Sequence, residues 1–222
     1  MKALIFDTET TGLHEPQVIE AAWMRVTSLA PLRTEGTYCQ RFRPTTPIEF
    51  GAMATHHITD DDLEHCPPSA DFRLPDDVQY LVGHNIDFDW NVIGRPAIRR
   101  IDTLALCRAL WPETDSHKQT AMLYMLNPRF ARQYAADAHS AAADVFMLAH
   151  LLTHILDRLG NPATLDELWQ HSEAARVPRT MPFGKHKGEL IADVPVDYRR
   201  WLAGQGDLDP YLRCALEQAA LA

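Results

Sequence analysis

Lys2-Ala3-Leu4-Ile5-Phe6-Asp7-Thr8-Glu9-Thr10-Thr11-Gly12 begins with a short, unbroken apolar run and ends in two acids and a turn. A run of this length reads as a buried strand. Side chains alternate faces along a strand, so Asp7 and Glu9 share one face, their backbones roughly 7 Å apart. Two carboxylates held this way repel each other. Hard divalent cations, Mg²⁺ or Mn²⁺, relieve that repulsion because they prefer oxygen ligands. Thr10-Thr11-Gly12 signals a turn, and Gly12 lets a substrate backbone come close. Asp-x-Glu is also a common pattern, and a strand end with two solvated acids satisfies it equally.

Working outward, residues 18–26 and 37–42 are rich in β-branched and aromatic side chains and read as further strands, giving an antiparallel meander of three. A helix starts near Thr59 or Asp60. Residues 78–82 form another apolar strand, 87–93 a helix, 98–101 a short strand and 103–110 a helix closed by Pro112. Helices follow at 119–126 and 141–159, ending at Gly160-Asn161-Pro162. Strands first, then strands alternating with helices, predict an α/β domain with a mixed sheet. After Pro162 the character changes: a short amphipathic helix at 164–172, a basic stretch at 176–188 with two prolines and two glycines, and a last helix at 208–221. A domain of 1–162 followed by a small module of 163–222 is expected, with a boundary near 175 as the alternative.

Two further constellations carry chemistry. Gly83-His84-Asn85-Ile86-Asp87-Phe88-Asp89 leaves a buried strand and opens a helix, a junction that delivers side chains to the end of a sheet. His84 and Asn85 are suited to holding the loop by hydrogen bonds. Asp87 reads best as the helix N-cap, and Asp89 falls in the first turn, where the dipole favours an acid. In His139-Ser140-Ala141-Ala142-Ala143-Asp144, five residues on a helix would rotate by about 140°. With His139 in the preceding loop and Asp144 one turn into the helix, both can reach one site. Each element also has a bland alternative: a capped helix start, or an exposed histidine.

The 222 residues carry a net charge of −9 and are 46% hydrophobic, enough for a packed core. The negative charge argues against a protein that coats nucleic acid through a broad basic surface, but not against an enzyme that grips a few nucleotides. No apolar run reaches the ~18 residues of a membrane span, and no secretory leader is expected from the opening residues. A soluble, cytoplasmic protein is expected. Cys39, Cys66, Cys107 and Cys214 are scattered, without zinc-site spacing, and are expected to be buried reduced thiols.

Taken in order, Phe-Asp-Thr-Glu-Thr-Thr-Gly-Leu at 6–13, Gly-His-Asn-x-x-Phe-Asp at 83–89 and His-x4-Asp at 139–144 resemble the three motifs of the DEDDh exonuclease superfamily. Ala52-Met53-Ala54-Thr55-His56-His57-Ile58-Thr59 and Ile101-Asp102-Thr103-Leu104 fit the same pattern. The resemblance covers about residues 1–160 and implies a ribonuclease-H-like fold: a mixed sheet flanked by helices. It makes Asp7, Glu9, Asp89 and Asp144 the ligands of two Mg²⁺ ions, with Mn²⁺ able to substitute, and His139 the general base. Asp87 matches no ligand position. Leu13 matches an apolar position set against terminal bases and, with His14, is a candidate wedge at a 3′ end; a buried loop leucine is the alternative. Thr10, Gly12, His84 and Asn85 complete the candidate nucleic-acid contacts in this domain.

In the tail, the glycines around Lys185 and Lys187 suggest a tight basic turn that could meet phosphates, with Tyr198 or Trp201 stacking or simply packing. The tail is similar to a Phe-Gly-Lys-x-Lys-Gly module that follows the nuclease domain in a DNA-degrading member of the superfamily. The reading is therefore a 3′→5′ exodeoxyribonuclease acting on DNA 3′ ends, single-stranded and at duplex ends, with release of nucleoside 5′-monophosphates. RNA stays open as a substrate, because no residue reveals whether a 2′-OH is read. A polymerase proofreading subunit, an RNA-trimming exoribonuclease and a non-catalytic nucleic-acid-binding module are the alternatives.

Overall fold

A computed structural model describes residues 1–134 and 140–221. The chain forms strands β1 (Ala3–Thr10), β2 (Val18–Leu29), β3 (Leu32–Arg41), β4 (Tyr80–Gly83) and β5 (Arg99–Asp102). Its helices are α1 (Phe50–His56), α2 (Asp60–Leu63), α3 (Ile86–Val92), α4 (Thr103–Leu110), α5 (Gln119–Leu126), α6 (Pro128–Tyr134), α7 (Ala141–Arg158), α8 (Leu165–Arg176), α9 (Val196–Ala203) and α10 (Pro210–Leu221). The strands make one mixed sheet in the order β3-β2-β1-β4-β5, antiparallel from β1 to β3 and parallel from β1 to β5. The expected meander is present, with longer strands: β2 and β3 meet in a tight hairpin that extends the pairing past the residues with strong strand propensity.

β1 is central and buried along its apolar run. Leu4 and Phe6 face a core that also holds Phe42, Phe72, Leu81 and Ile86. α7 packs across β1, β2 and β3, and its buried Val145, Leu148, Leu151, Leu152 and Ile155 recur at helical spacing. Glu20 fixes where α7 begins. This buried side chain accepts the Ala141 N–H at 2.9 Å through Oε2, while Arg41 Nε donates to Oε1 at 3.0 Å. A carboxylate at a helix N-terminus satisfies an orphan donor and suits the dipole.

The β4–α3 junction has little freedom. A Cβ on buried Gly83 would lie 2.9 Å from Ile86 Cβ and 2.5 Å from its Cδ1. Asn85 takes a left-handed conformation, φ 74°, and is the N-cap of α3. This corrects the expected cap: Asp87 lies inside the helix and pairs with Arg100 at 2.6 Å. The Asn85 N–H donates instead to Asp102 Oδ1, which also caps α4 by accepting from Leu104 N. One carboxylate thus ties two strand-to-helix joints together.

The chain divides into two compact units, Met1–Ser172 and Glu173–Ala222. The division falls later than Pro162 because the start of α8 is bonded into the first unit: Ser172 Oγ accepts the Asp102 N–H at 2.8 Å, and Asp166 pairs with Arg99 and accepts from Tyr80 Oη. The second unit has its own core of Met181, Ile191, Val194, Leu202, Leu212 and Leu216. The cysteines are free thiols, but of the four only Cys107 is buried, where desolvation pushes its pKa up to about 12; Cys39 is exposed, because it sits on the outer strand of the sheet. No helix among the described residues is long and apolar enough to cross a membrane.

Gly83→Ala is expected to destabilise the protein by about 1–3 kcal/mol, since the added methyl meets not only the Cδ1 of Ile86 but also its Cβ, which the backbone holds in place. Chemical denaturation of both proteins measures this, and an unchanged midpoint would contradict the packing argument.

Candidate metal centre and active site

The end of β1 is where the acids gather. Asp7 and Glu9 project from one face of the strand toward α7, whose first turn carries Asp144. Carboxylate oxygens of these three residues lie within 4.8 Å of one another. Gln119, at the start of α5, donates through Nε2 to Asp144 Oδ1 at 3.2 Å and to its carbonyl at 3.0 Å, which orients the carboxylate.

Asp89 arrives from α3 by a different route. The parallel pairing of β4 with β1 stops at Ile5↔Val82, so the outer end of β1 has no strand beside it on that edge. A buried backbone donor there needs another partner. Asp89 Oδ1 supplies it, accepting the Thr8 N–H at 2.9 Å and the Thr8 hydroxyl at 2.7 Å. The residue between the two acids of β1 is thereby the anchor for a third acid on another element.

Burial and mutual repulsion dominate the electrostatics. Burial, then the charges of Asp89, Asp144, Glu9 and Glu20, holds the Asp7 carboxyl well above the usual carboxylate range. Glu9 is pushed up to about 8 by burial and by Asp144, Glu20 and Asp89. Burial raises Asp89 to about 7 against the lowering effect of its bonds to Thr8. Among the described residues no Lys or Arg pairs with Asp7, Glu9 or Asp89. Hard oxygen donors this close fit a divalent metal such as Mg²⁺ or Mn²⁺.

Around the acids, Thr10 and Gly12 are buried and Thr10 Oγ1 donates to the Gly12 carbonyl at 3.0 Å. The Glu49 carboxylate fills the space a Gly12 side chain would need and accepts from the Leu13 and His14 N–H groups at 3.4 and 3.5 Å. The loop so held leaves Leu13 77% exposed, which sets aside the buried-leucine alternative, and Phe50 beside Glu49 is 87% exposed. His84 uses both ring nitrogens inside the protein. Burial favours its neutral form; Nε2–H donates to the His117 carbonyl at 2.7 Å, and Nδ1 lies 3.0 Å from the Thr103 hydroxyl oxygen, whose proton goes to the Gly83 carbonyl. It holds the loop and has no ring nitrogen left for a phosphate. Asn85 is exposed at the rim. Lys185 and Lys187 are exposed in the second unit. His139 lies outside the described residues; its neighbour Ser140 is the N-cap of α7 and accepts from Ala143 N at 3.4 Å.

Sequence reading missed Thr8, Glu20, Gln119 and Glu49. Thr8 stands inside the first motif and could have been flagged. The others act through partners 25 to 121 positions away, and no local pattern marks them.

Comparison with known proteins places these features. A family model described as a putative quorum-sensing-regulated virulence factor matches residues 173–216, within the second unit. Exodeoxyribonuclease 10 of Escherichia coli (strain K12) is 28% identical over 219 residues, spanning 96% of this chain and 96% of that protein. The solved structure of Exonuclease X in complex with 5′ overhanging duplex DNA superposes with a TM-score of 0.62 at 26% identity, covering 77% of this chain and 99% of that one. The nuclease domain of 3′hExo, a DEDDh family member bound to rAMP, shares the fold with a TM-score of 0.55 at 16% identity, over 70% of this chain and 91% of that one. The chain is thus similar over nearly its whole length to exodeoxyribonuclease 10, and its sheet and helices form the ribonuclease-H-like fold of the DEDDh-type 3′→5′ exonucleases.

Proposed function

We propose that this protein is a metal-dependent 3′→5′ exodeoxyribonuclease that releases nucleoside 5′-monophosphates from single-stranded DNA and from duplex ends. The observation that carries the reading is the convergence of Asp7, Glu9 and Asp144 oxygens within 4.8 Å, with Asp89 fixed beside them on Thr8. The similarity to exodeoxyribonuclease 10 supports the exonuclease class. Asp7, Glu9, Asp89 and Asp144 would hold two Mg²⁺ ions, and Mn²⁺ would substitute. When bound, the ions supply the positive charge that quenches the cluster, acidify water and offset charge on the leaving oxygen.

The protein's own groups do the rest. His139, just before the α7 N-cap in sequence, would take the proton of the attacking water, a task that suits histidine as a residue type because free imidazole side chains titrate near pH 6.5. Thr8 and Gln119 hold the Asp89 and Asp144 carboxylates in place. Leu13, on a loop braced by Glu49, stands clear of the surface as a wedge between terminal bases. Exonuclease chemistry is assigned to the first unit, since all these residues belong to it.

Incubating 3′-labelled and 5′-labelled single-stranded DNA, duplex DNA and RNA with Mg²⁺, with and without chelator, tests the proposal. Stepwise loss from the 3′ end of DNA, abolished by chelator, is expected; internal cleavage or chelator-resistant activity would refute it. His139→Ala should lower turnover by ~10²–10⁴-fold and leave the melting temperature and metal-induced stabilisation unchanged. Near-normal turnover in that variant would remove His139 from the mechanism. Leu13→Ala should slow blunt-duplex degradation about tenfold and spare single strands, because unstacking a base pair costs a few kcal/mol. Equal rates on both substrates would eliminate the wedge.

Metal-free stability should depend on pH in a defined direction. Folded Glu9 and Asp89 keep protons up to about 8 and about 7, whereas unfolded carboxylates release theirs near pH 4. The folded state therefore binds more protons between these limits, and stability falls as pH rises through the window. Melting the metal-free protein at about pH 5.5 and about pH 8 should show the lower midpoint at the higher pH, with Mg²⁺ restoring more there. Glu9→Gln should stabilise the metal-free protein by roughly 2 kcal/mol at the higher pH. A pH-independent midpoint would contradict the repulsive cluster.

A further inference from the structure

We propose that the second unit, Glu173–Ala222, carries a binding site of its own for single-stranded DNA, formed by Lys185, Lys187, Phe183 and Trp201. The proposal deepens the exonuclease reading and rests on it for the choice of DNA as the polynucleotide.

The first observation is charge. The chain has 30 acids against 21 Lys and Arg, yet 177–188 contains no acid and three cations, Arg179, Lys185 and Lys187, while the Arg176 side chain before them is buried and paired with Glu173 at 3.5 Å. The two lysines are exposed, while His186 between them turns inward and binds Glu189 at 3.0 Å. A phosphate backbone is the partner that such a local reversal of sign suits.

The second observation is shape. The turn is rigid: Met181 N donates to the Glu189 carbonyl at 2.9 Å, Gly188 N to that of Met181 at 2.8 Å and Lys187 N to that of Gly184 at 3.2 Å. Gly184 and Gly188, at φ 76° and 87°, allow the tight path. A preformed turn presents its lysines with little further ordering cost.

The third observation is exposed aromatic surface next to those cations. The His186 ring meets the edge of Tyr198 at 4.7 Å, and a Cβ on Gly184 would sit 2.9 Å from the Tyr198 hydroxyl, so the turn rests on α9. One helical turn on, Tyr198 touches Trp201, with ring centroids 5.5 Å apart. Trp201 is 58% exposed and Phe183, on the turn, 47% exposed. The unit's core is complete without these two rings. Cations for phosphates beside open ring faces for bases are the combination that holds single strands without reading their sequence. Carried on one chain with the nuclease unit, such a site raises the effective concentration of substrate.

The full-length protein in chelator, titrated with a labelled single-stranded oligonucleotide of about 30 nucleotides over a range of salt, tests this. The same proteins are assayed with metal on the p-nitrophenyl ester of thymidine 5′-monophosphate, which is too small to engage a second site. Trp201→Ala should weaken oligonucleotide binding about tenfold, with Trp201→Phe restoring most of it. The Lys185→Ala/Lys187→Ala pair should flatten the plot of log affinity against log salt by about 1.4. Ester hydrolysis should be unchanged in every variant. Unaltered affinity and salt slope overturn the site, as does a parallel loss of ester hydrolysis, which marks a structural lesion. If the unaltered protein does not hydrolyse the ester, the exonuclease reading fails, while the affinity measurements still decide the site.

Discussion

The mutual repulsion of carboxylates at the end of β1 is the constraint around which the first unit is organised. Asp7, Glu9 and Asp144 would drift apart if their elements were free to do so, and burial makes their ionised forms more costly still. They are held by packing that does not depend on them. β1 is central in the sheet, and α7 lies across three strands with an apolar face of several turns. The stability of that core is set against the strain of the site, a common relation between scaffold and function.

The devices that fix the acids are hydrogen bonds to residues outside the cluster, or, for Glu20, to an acid beside it whose oxygens are taken up by Ala141 and Arg41. Thr8 uses its backbone and side chain on Asp89. Gln119 holds Asp144, and Glu20 seats the first turn of α7. Asp102 and His84 lock the joint from which α3 departs. Each of these contacts joins one element of the fold to another, so the site is assembled only when the sheet and its helices are in register. A cation entering such a site would find carboxylates already placed, and little of its binding energy would be spent on ordering them.

The second unit is organised differently. Its core is a small set of aliphatic side chains, its turn is drawn tight by two glycines in the left-handed region, and its larger aromatic rings stay at the surface. A unit rich in acid cannot hold a polyanion broadly, and in the proposed reading a separate unit with exposed lysines would relieve that difficulty without diluting the acidic cluster.

The primary sequence by itself determined the sheet order of strands one to three and most helices, because alternation, helical period and capping are local and survive in the residue string. It misplaced the α3 cap, since Asp87 and Asn85 both suit a helix start and only the distant Asp102 carboxylate favours Asn85. It missed α1 and α6, whose short segments show little periodicity and are ordered by neighbours. Only the tertiary structure decided that β4 stops short of Thr8, that Asp89 fills the gap, and that Leu13 stands out from the surface while His84 is spent inside. Those outcomes depend on which backbone groups are left unpaired when strands of unequal length meet, a property of the assembled sheet that no stretch of residues carries alone.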